Sequence, residues 1–318
     1  MLRYFLLPIV FFSFCASLSA QTHTRLYASA LASDDPAAFM GGSSIGGGLW
    51  TSDDDGKNWT HLGWQHTKGY SVATDDSSNG NIIFSACGNG VIGSRDGGLH
   101  WRMLTDWRVA EVLDIYVGTQ KKITIATASG FFSSLDSGEH WSPMNEGMPE
   151  PRYCARLFYN KKQQLLLAAS SSGLYAYNEK EKSWKQDTRY TQSIKDIDTL
   201  PDGSLLVLSE NGALYRDGKM IVRPFAKRGQ LWCVAHSDTN IFIGGERGVF
   251  FYEGNHVLKL QSQSPKNVRS ILCTDGKVFI ASLSGGVYRA DVREEEMTFT
   301  PLGLEKLQVW SLRSAVVE

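Results

Sequence analysis

One short pattern recurs along nearly the whole chain and limits its architecture more than any other feature. A glycine followed by two apolar residues occurs at Gly48-Leu49-Trp50, Gly90-Val91-Ile92, Gly130-Phe131-Phe132, Gly173-Leu174-Tyr175, Gly212-Ala213-Leu214, Gly248-Val249-Phe250 and Gly286-Val287-Tyr288. The separations are 42, 40, 43, 39, 36 and 38 residues. A period of this size marks a structural unit that buries its apolar faces by stacking on copies of itself. An apolar run stands before the glycine, as in Ile82-Ile83-Phe84, Leu205-Leu206-Val207 and Val278-Phe279-Ile280. A second strand-like run lies further upstream, as in Ile194 to Ile197, Leu231 to Val234 and Val268 to Ile271. The upstream run is strand A, the run before the glycine B, the segment after it C, and D follows.

The two ends of the chain complement each other. Gln308-Val309-Trp310-Ser311-Leu312 reads as a strand A with no B, C or D behind it, and Arg25-Leu26-Tyr27-Ala28-Ser29 reads as a strand B with no A in front. The expected fold is therefore all-β: a seven-bladed β-propeller of four-stranded antiparallel blades over residues 21–318, closed by the C-terminal strand completing the first blade. The 31 glycines and 9 tryptophans suit many tight turns and flat interblade contacts.

Residues 1–20 read as a signal peptide, with Arg3, then an apolar run from Phe5 to Phe14, then small residues ending at Ala20. Cleavage is expected after Ala20, or one residue earlier after Ser19, which implies a secreted or periplasmic protein. Phe14 before Cys15 argues against a lipid anchor, and no later stretch could span a bilayer. The formal net charge of −1 argues against bulk nucleic-acid binding, which needs a basic face. Cys87, Cys154, Cys233 and Cys273 sit in apolar segments without zinc-ligand spacing. Buried free thiols are the expectation; an oxidising compartment also permits a disulfide, whose pairing spacing does not reveal.

Three units carry Ser-x-Asp-x-Gly-x-x-Trp between C and D: Ser52, Asp54, Gly56 and Trp59; Ser94, Asp96, Gly98 and Trp101; Ser134, Asp136, Gly138 and Trp141. In such a turn the carboxylate can accept backbone N–H groups, the glycine permits positive φ, and the tryptophan opens strand D. The motif is read as a hairpin clip at the outer rim rather than a sugar or metal site. Asp53-Asp54-Asp55-Gly56 lacks the later bidentate glutamate of a calcium loop. These residues resemble the Asp-box (BNR-repeat) propeller superfamily, which includes sialidases, xyloglucan-cleaving hydrolases, sortilin-type receptors and the photosystem II assembly factor. The resemblance covers nearly all of the chain after residue 20 and implies the fold, whereas the fold hosts many functions.

Sialidase resemblance would also require an early Arg-Ile-Pro, which is absent. A glycoside hydrolase would need two carboxylates roughly 5–10 Å apart. Asp114 and Asp196 hold equivalent strand-A places and Glu111 lies near one of them. Gly-x-Ser-x-Gly and His-Glu-x-x-His motifs are missing. The expectation is a monomeric binding scaffold without cofactor or metal; the alternative is a glycoside hydrolase acting at the same face.

The B–C and D–A connections share one face, here the top. A basic residue comes just before or within each strand A: Lys68, Arg108, Arg152, Lys195, Arg228, Arg269 and Lys306. Aromatic residues accompany them: Trp64, Tyr70, Trp107, Tyr153, Tyr190, Trp232 and Trp310. A positive, aromatic-studded mouth would attract an anionic protein segment or glycan. The candidate ligand-binding residues are Lys68, Tyr70, Arg108, Arg152, Lys195, Arg228, Trp232, Arg269 and Trp310. The long first B–C loop, residues 32–47, is expected to fold over this opening.

Overall fold

The computed structural model describes residues 22–31, 46–65, 67–224, 229–238, 240–254, 257–292 and 297–317. The segment read as a signal peptide, most of the first B–C loop and Arg228 lie outside them.

The B strands explain the repeat. Every residue of Ile83–Cys87, Ile123–Thr127 and Leu205–Ser209 is buried. Each of these strands has a blade packed against both of its faces, so its sequence runs continuously apolar instead of alternating. The outer strands are short where the Ser-x-Asp-x-Gly-x-x-Trp turn precedes them, as in Thr60–Leu62, Arg102–Met103 and Ser142–Pro143.

Seven four-stranded antiparallel sheets form a ring, making the chain a seven-bladed β-propeller. The inner A strands of blades 2 to 7 are Gly69–Thr74, Val112–Val117, Cys154–Asn160, Ile194–Thr199, Leu231–Ser237 and Val268–Thr274. Blade 1 takes its A strand from the other end of the chain: Gln308–Val317 pairs with His23–Leu31, Leu26 standing opposite Ser314 and Tyr27 opposite Arg313. The remaining strands of that blade are Gly48–Ser52 and Thr60–Leu62.

The core lies between blades rather than within one layer. Leu26, Ala28 and Ala30 of blade 1 pack with Phe279 and Ala281 of blade 7 and with Val309 and Leu312 of the closing strand. Equivalent clusters fill the other wedges. The turn tryptophans reinforce these joints. Trp59, Trp141 and Trp184 donate their indole N–H to Leu302 O, Leu104 O and Met144 O of the preceding blade at 2.7, 2.9 and 2.7 Å.

The repeat glycine has a steric reason. Gly90 has φ 128°, and a Cβ there would lie 2.0 Å from Thr105 Oγ1. Blade 5 departs from the pattern read in the sequence. Its B–C turn is one residue longer, so Ala213 rather than Gly212 answers Ser209, whose N–H reaches Ala213 O at 2.9 Å. Among the described residues no helix is long and apolar enough to cross a membrane.

Candidate functional site: the top mouth of the ring

Each A strand carries a β-bulge at the same height near the top face. A bulge adds an unpaired residue and re-aims its side chain. The residues at the seven bulges, from blade 1 to blade 7, are Trp310, Tyr70, Leu113, Ala155, Lys195, Trp232 and Arg269, and all are half-buried. Five consecutive blades, 5, 6, 7, 1 and 2, thus present Lys195, Trp232, Arg269, Trp310 and Tyr70. Blades 3 and 4 present only Leu113 and Ala155. The mouth is a crescent with one low side.

Three of these side chains touch. The Arg269 guanidinium lies 4.7 Å above the Trp310 ring centroid. Tyr70 meets Trp310 edge-on, centroids 5.4 Å apart. Burial pushes the Tyr70 phenol up, and Glu111 pushes it further, so Tyr70 is a hydrogen-bond donor at neutral pH. Trp232 donates its indole N–H to Gln230 Oε1 at 3.2 Å.

Several expected basic residues already hold an acidic partner. Lys195 pairs with Glu210 at 2.7 Å. Arg108 turns back on Asp106 and Arg152 on Glu150, both within their D–A connections. Lys68 is exposed just outside its strand, where its carbonyl accepts the Gly88 N–H at 3.0 Å. Trp64, Trp107 and Tyr153 are exposed. Tyr190 is a correction to the sequence reading: it is fully buried in the blade 4–5 wedge, its hydroxyl accepting the Gly218 N–H at 2.7 Å.

Below the bulges the channel narrows to a cavity of about 30 Å³, room for about one water. Asp114 and Asp196 line it, buried. Asp114 accepts from Ser71 Oγ at 2.6 Å, from its neighbour's Ile115 N–H at 3.0 Å and from Leu157 N–H at 2.8 Å, and Arg313 Nη2 stands 3.4 Å away. Asp196 accepts Val234 N–H at 2.9 Å and faces Arg156 Nε at 3.3 Å. Burial pushes the Asp196 carboxyl up, and Arg156 only partly counters this. Deeper still, His236 Nδ1 meets Asp198 Oδ2 at 2.7 Å.

Arg156 and Arg313 were not singled out in the sequence. They are arginines inside otherwise apolar strand-A runs, and that placement is the signal that could have found them. Arg156 and Arg313 both line the small channel cavity, and burial, then the charge of Arg156, pulls the Arg313 guanidinium down to about 10.

The three Ser-x-Asp-x-Gly-x-x-Trp turns superpose in their bonding. Ser52 Oγ donates to Asp54 Oδ1 at 2.8 Å and accepts Gly56 N–H at 2.9 Å, while Asn58 N–H reaches Asp54 Oδ1 at 2.9 Å. Ser94 with Asp96, and Ser134 with Asp136, repeat the arrangement. The Asn58 and His100 N–H groups hold Asp54 and Asp96 at about 2. All three carboxylates serve their own turn. Cys87, Cys154, Cys233 and Cys273 are free thiols, the first three buried. No group of three or more His, Cys, Asp or Glu among the described residues is placed to hold a metal.

No family model matches the chain, and no curated protein matches it. Solved structures do. YCF48 bound to D1 peptide is 15% identical, with TM-score 0.56 over 73% of this chain and 82% of that one. An ancestral GH74 enzyme is 15% identical, with TM-score 0.60 over 80% of this chain. This chain spans only 43% of the length of that enzyme. The Dos1 propeller is 11% identical, with TM-score 0.60 over 90% of this chain and 83% of that one. At these identities the likeness shows the β-propeller fold alone.

Proposed function

We propose that this protein is a secreted or periplasmic, non-enzymatic Asp-box propeller whose top mouth binds an extended, acidic segment of a partner protein. The Arg269–Trp310–Tyr70 cluster carries this reading. It joins a cation without a carboxylate partner among the described residues to two aromatic surfaces at the ring opening. Such a cluster contributes roughly 0.5–2 kcal/mol through cation–π attraction and offers a flat seat for a peptide. The low side at Leu113 and Ala155 leaves an entry for an extended chain. YCF48, a propeller neighbour, binds a peptide.

The glycoside hydrolase reading draws on the GH74 neighbour and on the Asp114–Asp196 pair. Against it, both Asp114 oxygens are already engaged, and the cavity between these carboxylates is too small for a sugar ring.

Selection from a random peptide library tests the binding reading. Acidic peptides should be enriched, and Arg269→Glu should weaken their binding about tenfold or more. Enrichment of neutral or basic peptides, or acidic binding undiminished in Arg269→Glu, would overturn it. Hydrolysis of a polysaccharide that disappears in Asp196→Asn would establish the enzyme instead.

A further inference from the structure

The bottom face holds two cavities that the top-mouth reading does not use. One, of about 820 Å³, opens at the lower end of the channel beneath blades 2, 3 and 4. The other, of about 880 Å³, lies between blades 3 and 4. Both volumes are in the range of ligand sites. They adjoin along a ridge made by Tyr116 and Tyr159, which line both. The two rings are stacked, 5.1 Å between centroids and 16° apart in plane, and each is half-buried. Neither hydroxyl bonds another described residue. A stacked, half-exposed pair of phenols is a platform for the C–H face of a sugar ring, with phenolic hydroxyls to bond its rim.

Charge identifies the kind of sugar. The inner end of the channel-side cavity is formed by Arg156 and Arg313. Arg156 Nε makes no hydrogen bond although it is enclosed within the ring. Lys121 and Lys161, both exposed, stand at the outer edge and pair with no carboxylate among the described residues. The opposing charges in this cavity are Asp75 and Asp76, and Asp75 is engaged by the Ser77 N–H and hydroxyl. Four cations and two carboxylates therefore line this cavity around an aromatic ridge, with Asp196 and Asp114 standing on the channel side of the two arginines at 3.3 and 3.4 Å. Gln120 and Gln164 add amide groups along the second groove.

We infer that the bottom face binds an acidic, uronate-containing oligosaccharide, its rings laid across the Tyr116–Tyr159 ridge and a carboxylate directed toward Arg156 and Arg313. Two grooves meeting at a ridge suit an elongated ligand better than a compact one. Planar guanidinium groups suit a carboxylate.

Isothermal titration with tetragalacturonate, its methyl-ester form and hexaglutamate tests this. Tetragalacturonate should bind, and the neutral ester should bind at least about tenfold more weakly. The surface pair Lys121→Glu with Lys161→Glu, which leaves the core untouched, should weaken binding about tenfold, and Tyr159→Ala should weaken it further. The top-mouth variant Arg269→Ala should leave it unchanged, so this site and the peptide site fail separately. Absence of tetragalacturonate binding at millimolar concentration, equal binding of hexaglutamate, or loss in Arg269→Ala but not in the lysine pair would each overturn the inference.

Discussion

Leu157 in blade 4 donates its backbone N–H to Asp114 Oδ2 in blade 3 at 2.8 Å. The same link recurs from Val234 to Asp196 Oδ2 at 2.9 Å and from Leu312 to Ser270 Oγ at 3.3 Å. In each case the acceptor is the residue just after the bulge, and the donor lies on the inner strand of the following blade. The bulge leaves a backbone group on the neighbouring strand unsatisfied, and a short polar side chain satisfies it. Asp114, Asp196 and Ser270 thus each tie the inner strands of two neighbouring blades together.

Replacing Asp114 by alanine leaves Leu157 N–H and the Arg313 guanidinium without their buried acceptor. Removing one member of a buried charged group costs about 3–5 kcal/mol. Urea unfolding should show a loss of that order. A change below about 1 kcal/mol would mean that the link is dispensable.

The rim turns should respond to acid. Hydrogen bonds hold folded Asp54 at about 2, below its unfolded value near 4. A lowered folded pKa gives stability that is full above the unfolded value and lost as pH falls through the folded one. Thermal stability should therefore decline between about pH 4 and pH 2, and less steeply in Asp54→Asn. Identical slopes would show that the turn contributes nothing to this decline.

Gly90→Ala should destabilise by about 1–3 kcal/mol, because its φ of 128° is strained for any L-residue and its Cβ would meet Thr105. Gly212→Ala should cost less. At φ 81° it is also left-handed, but the nearest atom to its Cβ is Leu231 Cδ1 at an ordinary 3.5 Å. Paired denaturation curves for the two variants check the ordering.

The repeat was legible because B strands are squeezed between blades, which forces unbroken apolar runs such as Leu205 to Leu208. Closure was legible for the same reason, since an A without B–D and a B without A are complementary remainders. The mouth was legible only in part. Tyr70, Lys195, Trp232, Arg269 and Trp310 stood out by size or charge, whereas Leu113 and Ala155 carry no chemical signal and are found only through the bulge. Charge counting also overstated the positive mouth. Asp106-x-Arg108 and Glu150-x-Arg152 place an acid two residues before the base, and both pairs neutralise themselves within the turn. Exposed pairs of this kind are worth at most about 1 kcal/mol, but they remove the charge from play.

Deleting residues 308–318 removes the inner strand of blade 1 and with it Val309 and Leu312 from the wedge shared with blade 7. Loss of an inner strand opens the ring and exposes edges on both sides. The truncated chain should fail to give a cooperative unfolding transition by circular dichroism. A sharp transition near that of the full chain would mean that closure does not depend on this strand.

The most direct measurement of the proposed recognition is a charge swap at Arg269. A peptide selected for binding through its acidic residues is titrated into the parent protein and Arg269→Glu, and the same peptide with lysine at those positions is titrated into both. The acidic peptide should bind the parent and lose about tenfold or more in the variant, while the lysine peptide recovers affinity only in the variant. Equal affinities of the acidic peptide for the two proteins would contradict binding at the top mouth.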